Sequence, residues 1–255
     1  MLALLAMSMT LPADHHEEAA SPREYYTLVV YENDDVERGK KTRELIDTKI
    51  APIVRSFDGV SKVGVFTEAS EQPKNAEPTG NVYLLAACSD VRTATMLTDK
   101  LAASDEAQAA FRSVDWPLTD KAKVTYMIAF AGIPQIELPK QTAAGEDRVF
   151  EMRTYYSGDS DLARLKMEMF DEGEIDLMRD VNLQPVFYGS ALVSADEDPH
   201  LVYLLSAGSV EEHKTNWQGF LDSPVWNEMK GNPRYKGTVS KIEQVFLVPT
   251  ESSDI

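Results

Sequence analysis

Five side chains stand where their types and spacing could act together on a small ligand: Glu151, Arg153, Tyr155, Tyr188 and Tyr203. Successive residues of a strand point to opposite faces, so in VFEMRTYY the residues Glu151, Arg153 and Tyr155 share one face and Phe150, Met152 and Thr154 the other. By the same alternation Tyr203 lies with Leu201 and Leu205, and Tyr188 with Val186. A guanidinium can hold a carboxylate through two parallel N–H donors, and tyrosine hydroxyls would fix the orientation of what it holds. The chemistry expected is recognition of a small anion, so Arg153→Ala is expected to weaken anion binding and leave the fold intact. The competing reading makes Glu151 and Arg153 a structural ion pair and gives the tyrosines satisfied hydroxyls within the sheet.

Stronger chemical signatures are missing from the sequence: no Gly-x-Gly-x-x-Gly, no phosphate loop, no Gly-x-Ser-x-Gly and no His-Glu-x-x-His. The carboxylates Glu168, Asp171, Glu172, Glu174 and Asp176 have no histidine near them and read as a solvated helix face. His213, after Glu211-Glu212, reads as polar surface, while Trp217, Phe220 and Trp226 read as core anchors. Cys88 is the only cysteine, so no intrachain disulfide forms, and its apolar setting LLAACSD predicts a buried, inert thiol. The lack of a catalytic constellation leans against an enzyme. It favours a non-catalytic module that binds a small molecule or a partner.

The elements that must position these residues come from a duplication. NVYLLAACSD and LVYLLSAGSV align Val82 with Val202, an offset of 120 residues (202 − 82). Around them the pattern predicts strands Tyr25–Tyr31, Val60–Thr67, Val82–Ala87 and Lys123–Phe130, with amphipathic helices near Asp34–Ser56, from Asp90 to Leu101 and near Asp105–Phe111. Pro52 is expected to interrupt the first helix. The second half repeats the order with strands Val149–Tyr155, Gln184–Val193, Leu201–Ser206 and Lys241–Val248, and helices Ser160–Val181 and Val210–Leu221. Each half is thus β-α-β-β-α-β, a ferredoxin-like unit, giving domains at 23–135 and 148–250, a linker at 136–147 and a tail at 251–255. A four-stranded sheet with helices on one face leaves the other bare, and two tethered copies can cover each other. The set Glu151, Arg153 and Tyr155 is expected to face that inter-copy space, and Phe150, Met152 and Thr154 the helices.

The 255 residues carry a formal charge of −17, which argues against nucleic acid and anionic membrane surfaces as partners. A small anionic ligand and a protein partner are compatible with it, and oligomerisation is left open. Met1–Leu11 is apolar and too short to span a membrane, and residues 1–22 read as the remainder of a signal peptide followed by a leader. Export to the periplasm or the exterior is the expectation. Cleavage after Ala13 would leave Asp14-His15-His16 at the new N-terminus, where the amine, two backbone amides and the His16 imidazole, with His15 beside it, could hold Cu(II) or Ni(II) in a plane.

The strand VFEMRTYY, the long helix after it, VYLL and the Asp222-Ser223-Pro224-Val225-Trp226 corner resemble the NIPSNAP family. Glu151, Arg153, Thr154 and Tyr155 stand where that family's opening strand has Glu-x-Arg-Thr-Tyr. The first half is fainter, with no arginine in Thr27-Leu28-Val29 and Gln108 in the region of the tryptophan. The resemblance spans Glu24 to Pro249 and implies a dimeric α+β-barrel fold, two ferredoxin-like units pairing their sheets, without a settled chemistry. Many relatives carry a histidine on the third strand where this chain has Tyr83 and Tyr203, which weakens an acid–base role there. The enzymatic alternatives it implies are a cofactor-free monooxygenase or isomerase, or haem bound through a helical histidine such as His213. No cofactor is expected on the first reading.

Overall fold

The computed structural model describes residues 21–255 apart from 115, 117, 120, 121 and 194–196. The cleavage site at Ala13 and the His15–His16 metal site lie outside the described residues. The aromatic and β-branched run YYTLVVY forms β1 (Tyr25–Tyr31), followed by α1 (Val36–Leu45), a π-helical turn (Ile46–Ile50) and α2 (Ala51–Arg55). Then come β2 (Val60–Glu68), β3 (Val82–Cys88), α3 (Val91–Thr95), α4 (Leu97–Ala103), α5 (Asp105–Phe111) and β4 (Ala122–Ala129). After α6 (Lys140–Ala144), the second half runs β5 (Val149–Tyr156), α7 (Ser160–Met169), a π-helical turn (Phe170–Glu174), α8 (Ile175–Asp180), β6 (Pro185–Ala191), β7 (His200–Ala207), α9 (Val210–Asp222), α10 (Pro224–Gly231) and β8 (Lys241–Pro249).

Side-chain caps start the helices as the sequence suggests: Asp35, Asp90, Asp159 and Ser209 each accept a backbone N–H from the first turn. Pro52 does not end the first helical run: it comes just after the π-helical turn, and the backbone stays helical through Ile50 and Ala51 into α2. The irregularity is the π turn before it, and the second half has one at the counterpart place.

The strands close into one antiparallel barrel in the order β1-β3-β2-β8-β5-β7-β6-β4. Within each half, neighbouring strands pair over long stretches, such as Val149–Tyr156 of β5 with Ala207–His200 of β7. The halves meet along two short seams, Phe66–Glu68 with Pro249–Leu247 and Met127–Ala129 with Ala191–Gly189. The expected pairing of two ferredoxin-like sheets is thus realised within one chain. It makes three cores: a helix–sheet layer in each half and the barrel lumen between them.

Three features of the structure lie beyond these expectations. The VYLL repeat is out of register by one residue: β1 and β5 correspond at an offset of 124 (149 − 25), but the residues paired with Tyr25 and Val149, Cys88 and Ala207, differ by 119 (207 − 88). Tyr83 therefore points into the lumen and Tyr203 away from it, although VYLL superposes them in sequence. Next, the stretch 136–147 that links the halves is anchored, with Ile136 and Gln141 buried, Glu24 accepting the Ile136 N–H at 2.8 Å, and Gly145 ending α6 at φ 66°. Finally, residues 251–255 pack onto β2: Asp254 accepts the Val63 N–H at 2.8 Å, and Ile255 is buried in the lumen core.

Candidate functional site

The alternation of β5 divides two environments. Phe150, Met152 and Thr154 enter the lumen, while Glu151, Arg153 and Tyr155 lie beneath the helices, opposite to the expected assignment. Both faces of the strand are buried, so burial could not choose between them. One end of the lumen is filled, with Tyr26 against Phe187 and Phe66 against Phe150, both at 5.1 Å between ring centroids, and Ile255 among them. The other end is open. There a cavity of about 450 Å³ is walled by Leu28, Val30, Met152, Val202 and Val245, with Tyr83, Thr125 and Thr154 beside them. Glu32, Glu68, Glu77, Glu243, Lys123 and His200 stand around it, under the loop that joins β2 to β3.

Glu151, Arg153, Tyr155, Tyr188 and Tyr203 do come together, in the helix–sheet layer of the second half. Tyr188 reaches it because a bulge between Pro185 and Phe187 shifts the register of β6, which leaves Val186 in the lumen core. Tyr188 and Tyr203 stack at 4.7 Å between centroids, almost parallel at 2°. The Tyr203 hydroxyl donates to that of Tyr155 at 3.0 Å, and the Tyr188 hydroxyl points to the Met178 sulfur at 2.7 Å. Arg153 donates from Nη2 to Gln244 Oε1 at 2.9 Å, and its guanidinium carbon lies 4.2 Å from the centre of the Trp217 ring. Its Nε lies 3.5 Å from Glu151 Oε1, near enough for charge attraction, yet neither Nε nor Nη1 has a hydrogen-bond acceptor among the described residues. The cavity of the lumen includes none of the five. The structural reading thus fits the tyrosines and Glu151, and Arg153 alone keeps unused donors.

Three ionisable residues of this layer were missed in the sequence. Lys166 of α7 and Glu174 of the π turn form an ion pair at 2.5 Å, both almost wholly buried. Burial lowers the Lys166 pKa against the pull of Glu174, and burial raises that of Glu174 against the pull of Lys166. The ammonium also sits 4.1 Å from the centre of the Phe170 ring. His213 is buried at 3% exposure, not on the polar surface, and its Nε2 is 2.9 Å from Glu151 Oε2. Burial works against the charge of Arg153, but Tyr203, Tyr155 and Glu151 raise its pKa above the usual guanidinium value. Of the acidic run, Glu174 is the member that turns inward, whereas Glu168 pairs with Arg234 and Asp171 accepts the Gly132 N–H at 2.9 Å. No sequence signal marked Lys166, Glu174 or His213: the 124-residue offset that makes Glu174 the counterpart of buried Ile50 follows from the strand pairing, whereas the VYLL repeat gives 120.

A haem iron held by His213 does not fit these residues. The Nε2 that would ligate it is committed to Glu151, and the ring is packed between Trp217 and Phe246.

Residues 150–254 match the NIPSNAP family model. No curated protein matches the chain. Among solved structures, an anthrone oxidase-like protein shares the fold at 13% identity and a TM-score of 0.58, over 91% of this chain and 93% of its own. A protein from Lactobacillus acidophilus, provisionally named a monooxygenase, aligns at 9% identity and a TM-score of 0.53, over 89% of this chain and 94% of its own. A NIPSNAP family protein of unknown function from Agrobacterium tumefaciens aligns over 40% of this chain and 88% of its own, at 14% identity and a TM-score of 0.35. The chain therefore has the fold of the dimeric α+β barrels, closed here within one chain, and residues 150–254 of its second half match the NIPSNAP family model.

Proposed function

We propose that this protein is a non-catalytic binding module that holds a small, largely apolar molecule in the open end of its barrel. One observation carries the reading: the lumen keeps a cavity of about 450 Å³ with an apolar wall, within the size range of small-molecule sites. The buried ionisable cluster, by contrast, is packed with rings and balances its own charges. A neutral apolar fluorophore such as N-phenyl-1-naphthylamine is expected to bind the full chain with enhanced emission. Thr154→Trp, which projects a large ring into the cavity, should abolish that binding while the circular dichroism spectrum stays unchanged. Equal binding by the variant would overturn the assignment.

A second reading, a cofactor-free monooxygenase or isomerase, draws on Arg153. Its unpartnered Nε and Nη1 are donors that a small carboxylate or an anionic reacting group could accept from. On that reading, 4-fluorobenzoate would show saturable ¹⁹F line broadening that Thr154→Trp does not affect. Export to a bacterial envelope compartment is part of the proposal, drawn from Met1–Leu11. Mass spectrometry of the mature N-terminus in a native host tests it.

A further inference from the structure

We infer that the ligand taken up by the lumen is a positively charged amine with an apolar body, an assignment that rests on the binding space proposed above. The inner wall offers Leu28, Val30, Met152, Val202 and Val245, surfaces that gain by covering hydrocarbon. The charged side chains that line the opening are Glu32, Glu68, Glu77 and Glu243 with Lys123, while Lys241 stands at the edge against Glu243 and His200 lies beside them, so carboxylates outnumber the lysines. A cleft of one sign between low-dielectric walls focuses the field and concentrates ions of the opposite sign, and the chain's formal charge of −17 acts in the same direction.

The existing partners of these carboxylates leave that preference in place. Lys123 pairs with Glu32 at 2.6 Å and Lys241 with Glu243 at 2.5 Å, both through side chains open to solvent, where such pairs hold weakly and exchange readily. Glu68 accepts from neutral donors, the Thr79 hydroxyl at 2.8 Å and the Gly80 N–H at 2.9 Å among them. Neither Glu68 nor Glu77 forms an ion pair with a lysine or arginine among the described residues. The mouth also shows that one of its rings accepts a cation: Lys241 Nζ lies 5.0 Å from the centre of the Tyr156 ring. An alkylammonium can set its chain on the apolar wall and its head among these carboxylates. A fatty carboxylate of equal length would bring like charge to the same place.

The test displaces N-phenyl-1-naphthylamine from the full-length protein with three ligands of one chain length: octylammonium, octanol and octanoate. At pH 7 and low salt, octylammonium is expected to displace at a concentration at least about 10-fold below that of octanoate, with octanol between them. The gap should shrink at high salt and in the doubly substituted Glu77→Gln, Glu243→Gln chain, whose exposed sites leave folding alone. Octanoate displacing as well as octylammonium would overturn the ammonium assignment even if Thr154→Trp abolished all binding. Probe binding that survives Thr154→Trp would overturn the lumen reading and this inference with it.

Discussion

Beneath α1 and α2 the first half buries Thr27, Val29, Thr42 and Ile50; at the counterpart positions, 124 residues on, the second half buries Glu151, Arg153, Lys166 and Glu174. The two layers share their strand order, their helices and a π turn in the same place, Ile46–Ile50 and Phe170–Glu174. The comparison teaches that the architecture needs none of these charges. Around Val29 the first layer closes with Leu45, Ile46, Val54, Leu84 and Leu97, and among the described residues no buried ion pair stands there. Taking an ion pair out of water costs about as much as the pair regains, so the charges of the second layer are not explained by stability. Its π turn also contains Gly173 at φ 140°, a conformation that glycine adopts without penalty.

The largest expected effect breaks the pair in one layer. Lys166→Met leaves Glu174 buried and alone, which should destabilise the protein by about 3–5 kcal/mol in urea unfolding. Adding Glu174→Leu should restore most of that loss, because the second layer then approaches the first in character. In the first half, Leu84→Ala should cost about 2–5 kcal/mol through the cavity it leaves. If the double substitution proves as damaging as Lys166→Met alone, the layers are not equivalent and the comparison fails.

Arg153→Ala comes next. With Arg153 outside the lumen cavity, its loss removes the hydrogen bond to Gln244, the contact with Trp217 and the counter-charge of Glu151. A destabilisation of about 2–3 kcal/mol is expected, not the neutral effect that a ligand-facing arginine would give. Arg153→Met, which refills the space, should lose less. Equal stability of Arg153→Ala and the parent chain in urea would show that the layer does not rely on the guanidinium.

How much of this was legible follows from which signals survive burial on both sides. The strand runs, the helix caps and the duplication gave the barrel, because periodicity and capping are local. The gathering of Arg153, Tyr155, Tyr188 and Tyr203 was also legible from parity, though Tyr188 arrived through a bulge that the alternation did not reveal. The face itself was not. In VFEMRTYY both sets are buried, so no polar face marks the outside, and the one-residue slip hidden in VYLL carries Tyr83 and Tyr203 to opposite sides of the sheet. Lys166, Glu174 and His213 were hidden for a related reason: charge in a helix usually means solvent, and only a partner on another element overrides that.

The single thiol sharpens the first layer. Cys88 is buried at the end of β3, and burial, with Asp90 and Glu24 adding to it, pushes its pKa up from 9.0 to about 12. Its folded value lies above the unfolded one, so the folded chain holds this proton more tightly. The contribution is fully present below about pH 9 and is lost as pH rises toward 12. Native Cys88 should therefore resist iodoacetamide at pH 8 and react quickly in denaturant. In Cys88→Ala the fall of stability above pH 9 should be shallower than in the parent chain. Rapid alkylation of the native protein would contradict a closed first layer.

The smallest effect separates the tyrosine stack from the charges beside it. Tyr188 and Tyr203 stack face to face, and the contact belongs to the rings, whereas among the described residues the Tyr188 hydroxyl reaches the Met178 sulfur. A thioether is a weak acceptor, so removing that hydroxyl gives up little, and the ring that remains keeps its packing against Phe130 and Phe170. Tyr188→Phe should change stability by less than about 1 kcal/mol. Tyr203→Phe should cost somewhat more, since its hydroxyl donates to Tyr155 and lies close to the charge of Arg153. Urea midpoints of the two variants decide the order. If Tyr188→Phe is the more damaging, its hydroxyl holds the layer together, and the difference between the halves lies in the tyrosines as much as in the ions.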